Sequence, residues 1–285
     1  MTYVIVPTLN AASDWPRFAA ALTMSVEPQR VLIIDSASTD GTRDLAIASG
    51  FKVLSIRRSE FNHGGTRQVG AEALTDATVL VYLTQDAVLS GPHAIANLVD
   101  AFADPSVAVA YGRQLPRKGA GAIEAHARLF NYPSVSEIRD LHDRNRLGFK
   151  TIFSSNSFAA YRRSALMEIG GFPNNTHFGE DTIAAAKLLL AGYKIAYVAE
   201  AAVYHSHAHT WAEEFRRYFD IGLLHSRERW LIESFGGAGG EGLRFVASEL
   251  KYLLREDKVK IPDAILRTFL KYTGYRRGRM QGKSA

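Results

Sequence analysis

The sequence contains no cysteine. Disulfide scaffolds, thiol catalysis and Cys-ligated zinc are excluded with it, and the absence suits a reducing compartment. No apolar run approaches the ~18 residues that cross a bilayer. The opening Met-Thr-Tyr-Val-Ile-Val-Pro lacks the basic segment and long apolar stretch of a secretory signal. These absences predict a cytoplasmic chain. No Gly-x-Gly-x-x-Gly follows the first strand pattern and no P-loop is present, which argues against a dinucleotide site and a P-loop phosphate site. There is no internal repeat, and low complexity is confined to a glycine-rich break at Gly236–Gly240.

What is present is ordinary globular composition: 285 residues, 47% hydrophobic and 22% charged, enough to bury a sizeable core. The net charge of +5 is unevenly placed. Residues 251–285 hold ten Lys/Arg against three Asp/Glu, whereas the rest holds 24 against 26. Basicity is thus a property of the tail, which weakens a nucleic-acid reading and favours a local anionic partner.

Short β-branched runs alternate with helical patterns through residue 110. Strands are predicted at Tyr3–Val6, Val31–Ile34, Lys52–Ile56, Val79–Leu83 and Val107–Ala110. Helices are predicted near Ser13–Ser25, Thr42–Ser49, Thr66–Leu74 and Pro92–Phe102. Such alternation implies βαβ units and a mostly parallel sheet flanked by helices. Residues 111–160 read as an irregular excursion. A helix from Glu180 to about Ala191, a strand Lys194–Val198 and a capping box at Thr210–Glu213 follow. The expected organisation is a nucleotide-binding half over 1–110, an acceptor and catalytic half over 111–209, and a C-terminal helical extension over 210–285.

Ligands of open α/β sheets bind beyond the carboxyl ends of the strands. There the sequence places Pro7, Thr8 and Asn10, then Asp35 and Asp40, then His63-Gly-Gly-Thr-Arg67, then Thr84, Gln85 and Asp86. Any one of these is an ordinary turn residue. Four successive polar ends favour a ligand crevice. Val4–Asn10, Ile34–Thr42, Gly179-Glu180-Asp181 and Ala191–Lys194 resemble the motifs of glycosyltransferase family 2, over about residues 1–209. Phe61–Arg67 and Leu83–Ala87 are similar to a narrower branch, the bacterial rhamnosyltransferases that use dTDP-L-rhamnose.

The resemblance implies an inverting transferase with a GT-A-like, Rossmann-type α/β fold, working in cell-surface polysaccharide synthesis. It makes Asp35 a partner of the donor's nucleobase, where the plain alternative is a turn carboxylate. It makes Asp181 the general base, with Glu180 as the alternate; the plain alternative is helix-dipole chemistry. It makes Asp86 a ligand of Mg²⁺ or Mn²⁺, although Thr84 stands where the family usually has a first aspartate. His205 is then a second metal ligand, and a three-histidine zinc site through His207 and His209 lacks a clear fourth partner. Pro7, Thr8, Asn10, His63, Arg67 and Gln85 are expected at the donor. Asn156, Gly171 and Trp211 are expected at the acceptor or donor sugar. Residues 262–283 carry an apolar side flanked by basic residues, which suits an interfacial helix on an anionic membrane as well as a packed terminal helix. The expected partners are dTDP-L-rhamnose and a saccharide or lipid-linked saccharide acceptor, without nucleic acid. The alternatives are a family-2 transferase with another UDP, GDP or dTDP sugar, and a non-catalytic nucleotide-sugar-binding protein.

Overall fold

The computed structural model describes residues 1–176, 178–237 and 240–284, and the side chains of 283 and 284 are not described. Nine strands form one sheet in the order β3-β2-β1-β4-β8-β6-β9-β5, with β7 paired to β9. The strands are β1 Thr2–Thr8, β2 Val31–Asp35, β3 Lys52–Ser55, β4 Val79–Leu83, β5 Val88–Leu89, β6 Val107–Leu115, β7 Glu137–Arg139, β8 Phe158–Arg162 and β9 Lys194–Tyr204. The helices are α1 Trp15–Thr23, α2 Thr42–Ala48, α3 His63–Ala73, α4 Ala94–Asp100, α5 Ala122–Asn131, α6 Arg144–Leu147, α7 Arg163–Glu168, α8 Glu180–Leu190, α9 Trp211–Arg227, α10 Arg229–Phe235, α11 Glu241–Glu256 and α12 Ile261–Ser284. Of the Gly236–Gly240 break, residues 238 and 239 lie outside the described residues.

The central strands bury both faces, which is why they read as continuous apolar runs. Tyr3 and Ile5 of β1 join one apolar layer with Leu32, Ile34, Leu80 and Tyr82. Val4 and Val6 join the opposite layer with Val31, Ile33, Val79 and Val81. Successive side chains alternate across a strand, so one sequence run feeds both layers.

The first four strands are parallel. The second half of the sheet is mixed, because β8 runs antiparallel to both β4 and β6. This strand was hidden in the stretch read as irregular; Phe158-Ala-Ala-Tyr161 is fully buried but alanine-rich, which mutes its strand signal. Its direction has a functional consequence. The amino end of β8, not its carboxyl end, meets the carboxyl end of β4, where the Thr84 amide donates to the Ser157 carbonyl at 3.3 Å. Strands β6 and β9 also run further than expected, to Leu115 and Tyr204, through an irregularity at Gly112/Arg113. Their extra residues reach the same edge.

Helix α3 starts at His63, three residues earlier than its pattern suggests. Gly64 and Gly65 are poor helix formers, but Asn62 caps them, accepting from both amides at 3.0 Å. Gly64 is also required by space, since a Cβ there would sit 1.8 Å from the Pro173 carbonyl oxygen. The capping box at Thr210 and Glu213 forms as its spacing predicts. Helices α9 and α12 lie side by side in the same direction. Cβ atoms at Gly274 and Gly278 would lie 2.5 and 2.0 Å from the carbonyl oxygens of Phe215 and Phe219. Glycine every fourth residue thus lets the two backbones touch.

Candidate active site

The loops after β1 and β2 are tied together. Asn10 donates its amide to Ser38 Oγ at 2.9 Å and accepts from the Thr39 amide at 2.9 Å. Asp40 accepts from the Ala12 amide and from Thr42, so it pins the loops rather than facing a ligand. Two non-glycine residues here hold positive φ, Asn10 at 48° and Ala37 at 59°, a strain that clusters at functional sites. Asp35 is buried, and its Oδ2 accepts from the Ser38 amide at 3.1 Å. Its Oδ1 has no partner among the described residues. A buried carboxylate oxygen left without a donor is costly unless a ligand supplies one. Thr8 is buried at the end of β1, following the half-buried Pro7. Gln85 is a latch: it accepts from the Leu9 amide at 2.7 Å and donates to the Leu9 carbonyl at 3.0 Å. That occupies both ends of the side chain, in place of the donor contact expected of it.

Beyond this loop edge lies a cleft of about 640 Å³, large enough for a small-molecule ligand. Asp86, His205 and His207 meet at one end, with one ligand atom from each within 4.8 Å of the others. The Asp86 Oδ2 is 3.4 Å from His205 Nε2 and 3.2 Å from His207 Nε2. Burial opposes the Asp86 charge, but His205, Thr84 and His207 hold its carboxyl well below the usual range. Two imidazoles and one carboxylate fit Mn²⁺ better than Mg²⁺, which prefers an all-oxygen shell. His207 completes a set for which Asp86 and His205 were expected. His209 lies outside it.

Gln114 sets the chemistry of this cluster. Its Oε1 accepts from Arg128 Nη1 at 2.7 Å. Arginine only donates, so the amide orientation is fixed. The same oxygen is 2.9 Å from His205 Nδ1, which must therefore carry the proton. His205 Nε2 is thereby turned toward His207 Nε2 at 2.9 Å and Asp86 Oδ2 at 3.4 Å, the atom it would offer a metal. Such a support commonly contributes ten- to hundredfold in metal affinity. Replacing Gln114 by Leu is therefore expected to weaken Mn²⁺ binding by about ten- to hundredfold. Electron paramagnetic resonance titration of free Mn²⁺ reads this without turnover, and unchanged affinity would remove Gln114 from the support role.

The other end of the cleft holds the acids. Gly179, at φ +83°, turns the chain into α8. Glu180 and Asp181 follow and diverge. Glu180 Oε1 pairs with Arg67 Nη1 at 3.1 Å and accepts from Asn156 Nδ2 at 3.1 Å. Asp181 accepts from the Thr182 amide at 2.7 Å and, more weakly, from the Asn156 amide at 3.4 Å. Burial, and then the charge of Glu180, push its carboxyl up to about 6. Asn156 itself is held by Tyr161, whose hydroxyl donates to Asn156 Oδ1 at 2.9 Å. The antiparallel β8 thus delivers Asn156 between the two acids.

Some expected residues sit elsewhere. Arg67 lines the cleft but is buried with its guanidinium on Glu180, so it is not left for a diphosphate. His63 is exposed at the start of α3, and it lines the cleft mouth. Gly171 packs on Gln68, away from the cleft, because its turn seats the loop after α7 against α3. Trp211 lies on the outer face of α9, 53% exposed, with its indole N–H on Asp263 at 2.7 Å. That a helix starts here was legible from the capping box; which face of it looks inward was not. Conversely, Gln114, Arg128 and Arg217 line the cleft without having been singled out. Neither guanidinium has a carboxylate at ion-pair distance among the described residues. No sequence signal marked them, because they come from the strand extension and from helices that reach the cleft only through packing.

Comparison with known proteins agrees with this geometry. The family model described as glycosyl transferase family group 2 matches residues 79–234. The chain is 48% identical to the O-antigen chain rhamnosyltransferase RfbN of Salmonella typhimurium, over 97% of this chain and 88% of that one. It is 46% identical to the O-antigen chain rhamnosyltransferase WbaN of Salmonella anatum, with the same coverage. Among solved structures, a mannosyltransferase from Pyrobaculum calidifontis in complex with GDP-Man and Mn²⁺ shares the fold at a TM-score of 0.62. It is 18% identical, and the match covers 99% of this chain and 83% of that one.

Proposed function

The chain belongs to glycosyltransferase family 2 and carries a GT-A fold, and from that premise we propose that it transfers L-rhamnose from dTDP-β-L-rhamnose to a saccharide or lipid-linked saccharide of O-antigen synthesis. The observation that carries the reading is Asp181 at the cleft wall, with its carboxyl raised to about 6 beside an ion-paired Glu180. A pure binder has no use for a tuned base.

The reaction is a single displacement. The acceptor hydroxyl gives its proton to Asp181 as its oxygen forms a bond to the anomeric carbon. The bond from that carbon to the diphosphate oxygen breaks on the opposite face, so the anomeric configuration inverts to an α-L-rhamnoside. The leaving nucleoside diphosphate keeps the electron pair. Arg128 and Arg217 offer positive charge in the cleft where that negative charge develops. Asp86, His205 and His207 would hold Mn²⁺, which when bound supplies Lewis-acid charge to the diphosphate. The free Asp35 Oδ1 accepts the imide N–H of the thymine ring. The Asn10, Ser38 and Thr39 links keep that loop edge in place. No helix among the described residues is long and apolar enough to cross a membrane. The basic C-terminal segment suits peripheral contact with an anionic membrane.

A donor panel tests the assignment. Calorimetry with dTDP-rhamnose, UDP-glucose, UDP-galactose and GDP-mannose, with and without Mn²⁺, is expected to give its strongest signal with dTDP-rhamnose. Mn²⁺ should strengthen that signal. Preference for a UDP or GDP sugar would overturn the donor and leave the transferase chemistry standing.

A further inference from the structure

Helix α9 has two working faces. Arg217, Ile221, Leu224 and His225 line the cleft. Trp211, Phe215 and Phe219 lie on the other side, where with Leu266 and Leu270 of α12 they line an open apolar groove. Along α12 a solvent-facing stripe continues from it. Ile265, Phe269 and Tyr272 are 59%, 61% and 59% exposed, at spacings of four and three residues. Arg276 and Met280 extend the same stripe, Met280 at 63% exposure. A monomer rarely leaves so many large apolar side chains in water on one contiguous face.

The charge around this face is mainly positive. Arg276 lies over the Tyr272 ring at 5.9 Å and Arg277 over the Phe215 ring at 5.8 Å. Arg216 lines the groove, and exposed Lys258 and Lys260 stand before α12. Asp220 is the carboxylate that lines the groove. The inward basic groups are already used, since Arg267 and Lys271 pair with Glu214 at 3.0 and 3.3 Å. Hence the outer arginines, not the whole tail, define the electrostatics of the face.

We propose that the α9–α12 face docks on an anionic lipid bilayer, with Ile265, Phe269 and Tyr272 entering the headgroup boundary and Arg216, Arg276 and Arg277 meeting lipid phosphates. Apolar area plus basic side chains is the combination that holds a helix in the interface plane. A second copy of the chain is the poorer occupant. A two-fold pairing would set this patch against itself and bring its arginines together. Docking would place the helix that walls the cleft at the membrane surface, within reach of an acceptor held there. The inference gives the transferase reading a partner surface but does not depend on the donor.

The test is flotation of the full chain with phosphatidylcholine vesicles and with vesicles of equal parts phosphatidylcholine and phosphatidylglycerol. Binding is expected to be about a hundredfold tighter on the anionic vesicles and to weaken as salt rises. Ile265→Glu with Phe269→Glu, and separately Arg276→Glu with Arg277→Glu, should each lower it by at least about tenfold. Donor binding by calorimetry should stay unchanged in both, which establishes the fold and keeps the test apart from the catalytic assignment. Binding to neither vesicle, or equal binding by the variants, overturns the proposal. A doubled mass in light scattering that the Ile265/Phe269 variant abolishes overturns it in favour of a second copy.

Discussion

Asp181→Asn is expected to lower kcat by about a hundred- to ten-thousandfold, the range that a positioned general base contributes. Donor affinity should change little, because the proton acceptor is needed only as the acceptor hydroxyl attacks. Asparagine keeps the shape and can still accept from the Thr182 amide, now at 2.7 Å. The pH profile gives a second reading. Asp181 must be ionised to accept a proton, and burial with Glu180 raises its carboxyl to about 6. Below that pH, kcat/KM should fall about tenfold per unit, and above it the rate should level. The stability linkage has the opposite sense from that of an ordinary paired carboxylate. A carboxyl raised in the fold costs stability in full above its folded pKa; the cost shrinks as pH falls from there and is gone only below the unfolded pKa. Removing the charge should therefore leave the melting temperature at pH 8 equal to or above that of the parent chain. A variant that keeps wild-type kcat would transfer the base role to Glu180 or abandon it.

How this site was legible follows from what each residue needed. Asp35, Asp86 and Glu180-Asp181 follow or precede elements whose β-branched or helical pattern is unambiguous, so their position at the crevice edge followed from topology. The family resemblance then supplied roles that spacing alone does not. Gln114 and Asn156 were harder. Gln114 lies in a strand that runs five residues past its apolar stretch, to Leu115, because pairing with the longer β9 sustains it where local propensity does not. Asn156 was expected at a sugar, but its place between two acids depends on β8 being antiparallel, a tertiary choice with no local signature. Trp211 and Gly171 show the converse. Both have residue types that suit a sugar site, yet helix rotation and loop packing, which no single sequence displays, turn them elsewhere.

The Arg67–Glu180 pair carries the other large effect. Both side chains are almost wholly buried, and their N–O distance is 3.1 Å. Breaking a buried pair leaves one charge without compensation, at a typical cost of about 3–5 kcal/mol. Arg67→Met is therefore expected to destabilise the fold by about 3–5 kcal/mol at neutral pH, measured by chemical denaturation. Methionine retains much of the volume, so the loss would be mainly electrostatic; the bond from Arg67 Nη1 to the His63 carbonyl at 2.8 Å goes with it. The double variant Arg67→Met with Glu180→Gln separates the causes. Glutamine still accepts from Asn156 Nδ2, and neither member of the pair is left as an uncompensated charge, so most of the lost stability should return. A double variant as unstable as the single one would assign the loss to packing instead. The pair is also expected to act on catalysis through Asp181. Arg67 lowers the Asp181 carboxyl while Glu180 raises it. In Arg67→Met the acidic limb of the kcat/KM profile should move to higher pH, and in the double variant it should move back. A packing defect would lower the plateau without shifting the limb in that order. The buried ion pair thereby sets the charge environment of the carboxylate proposed as the base.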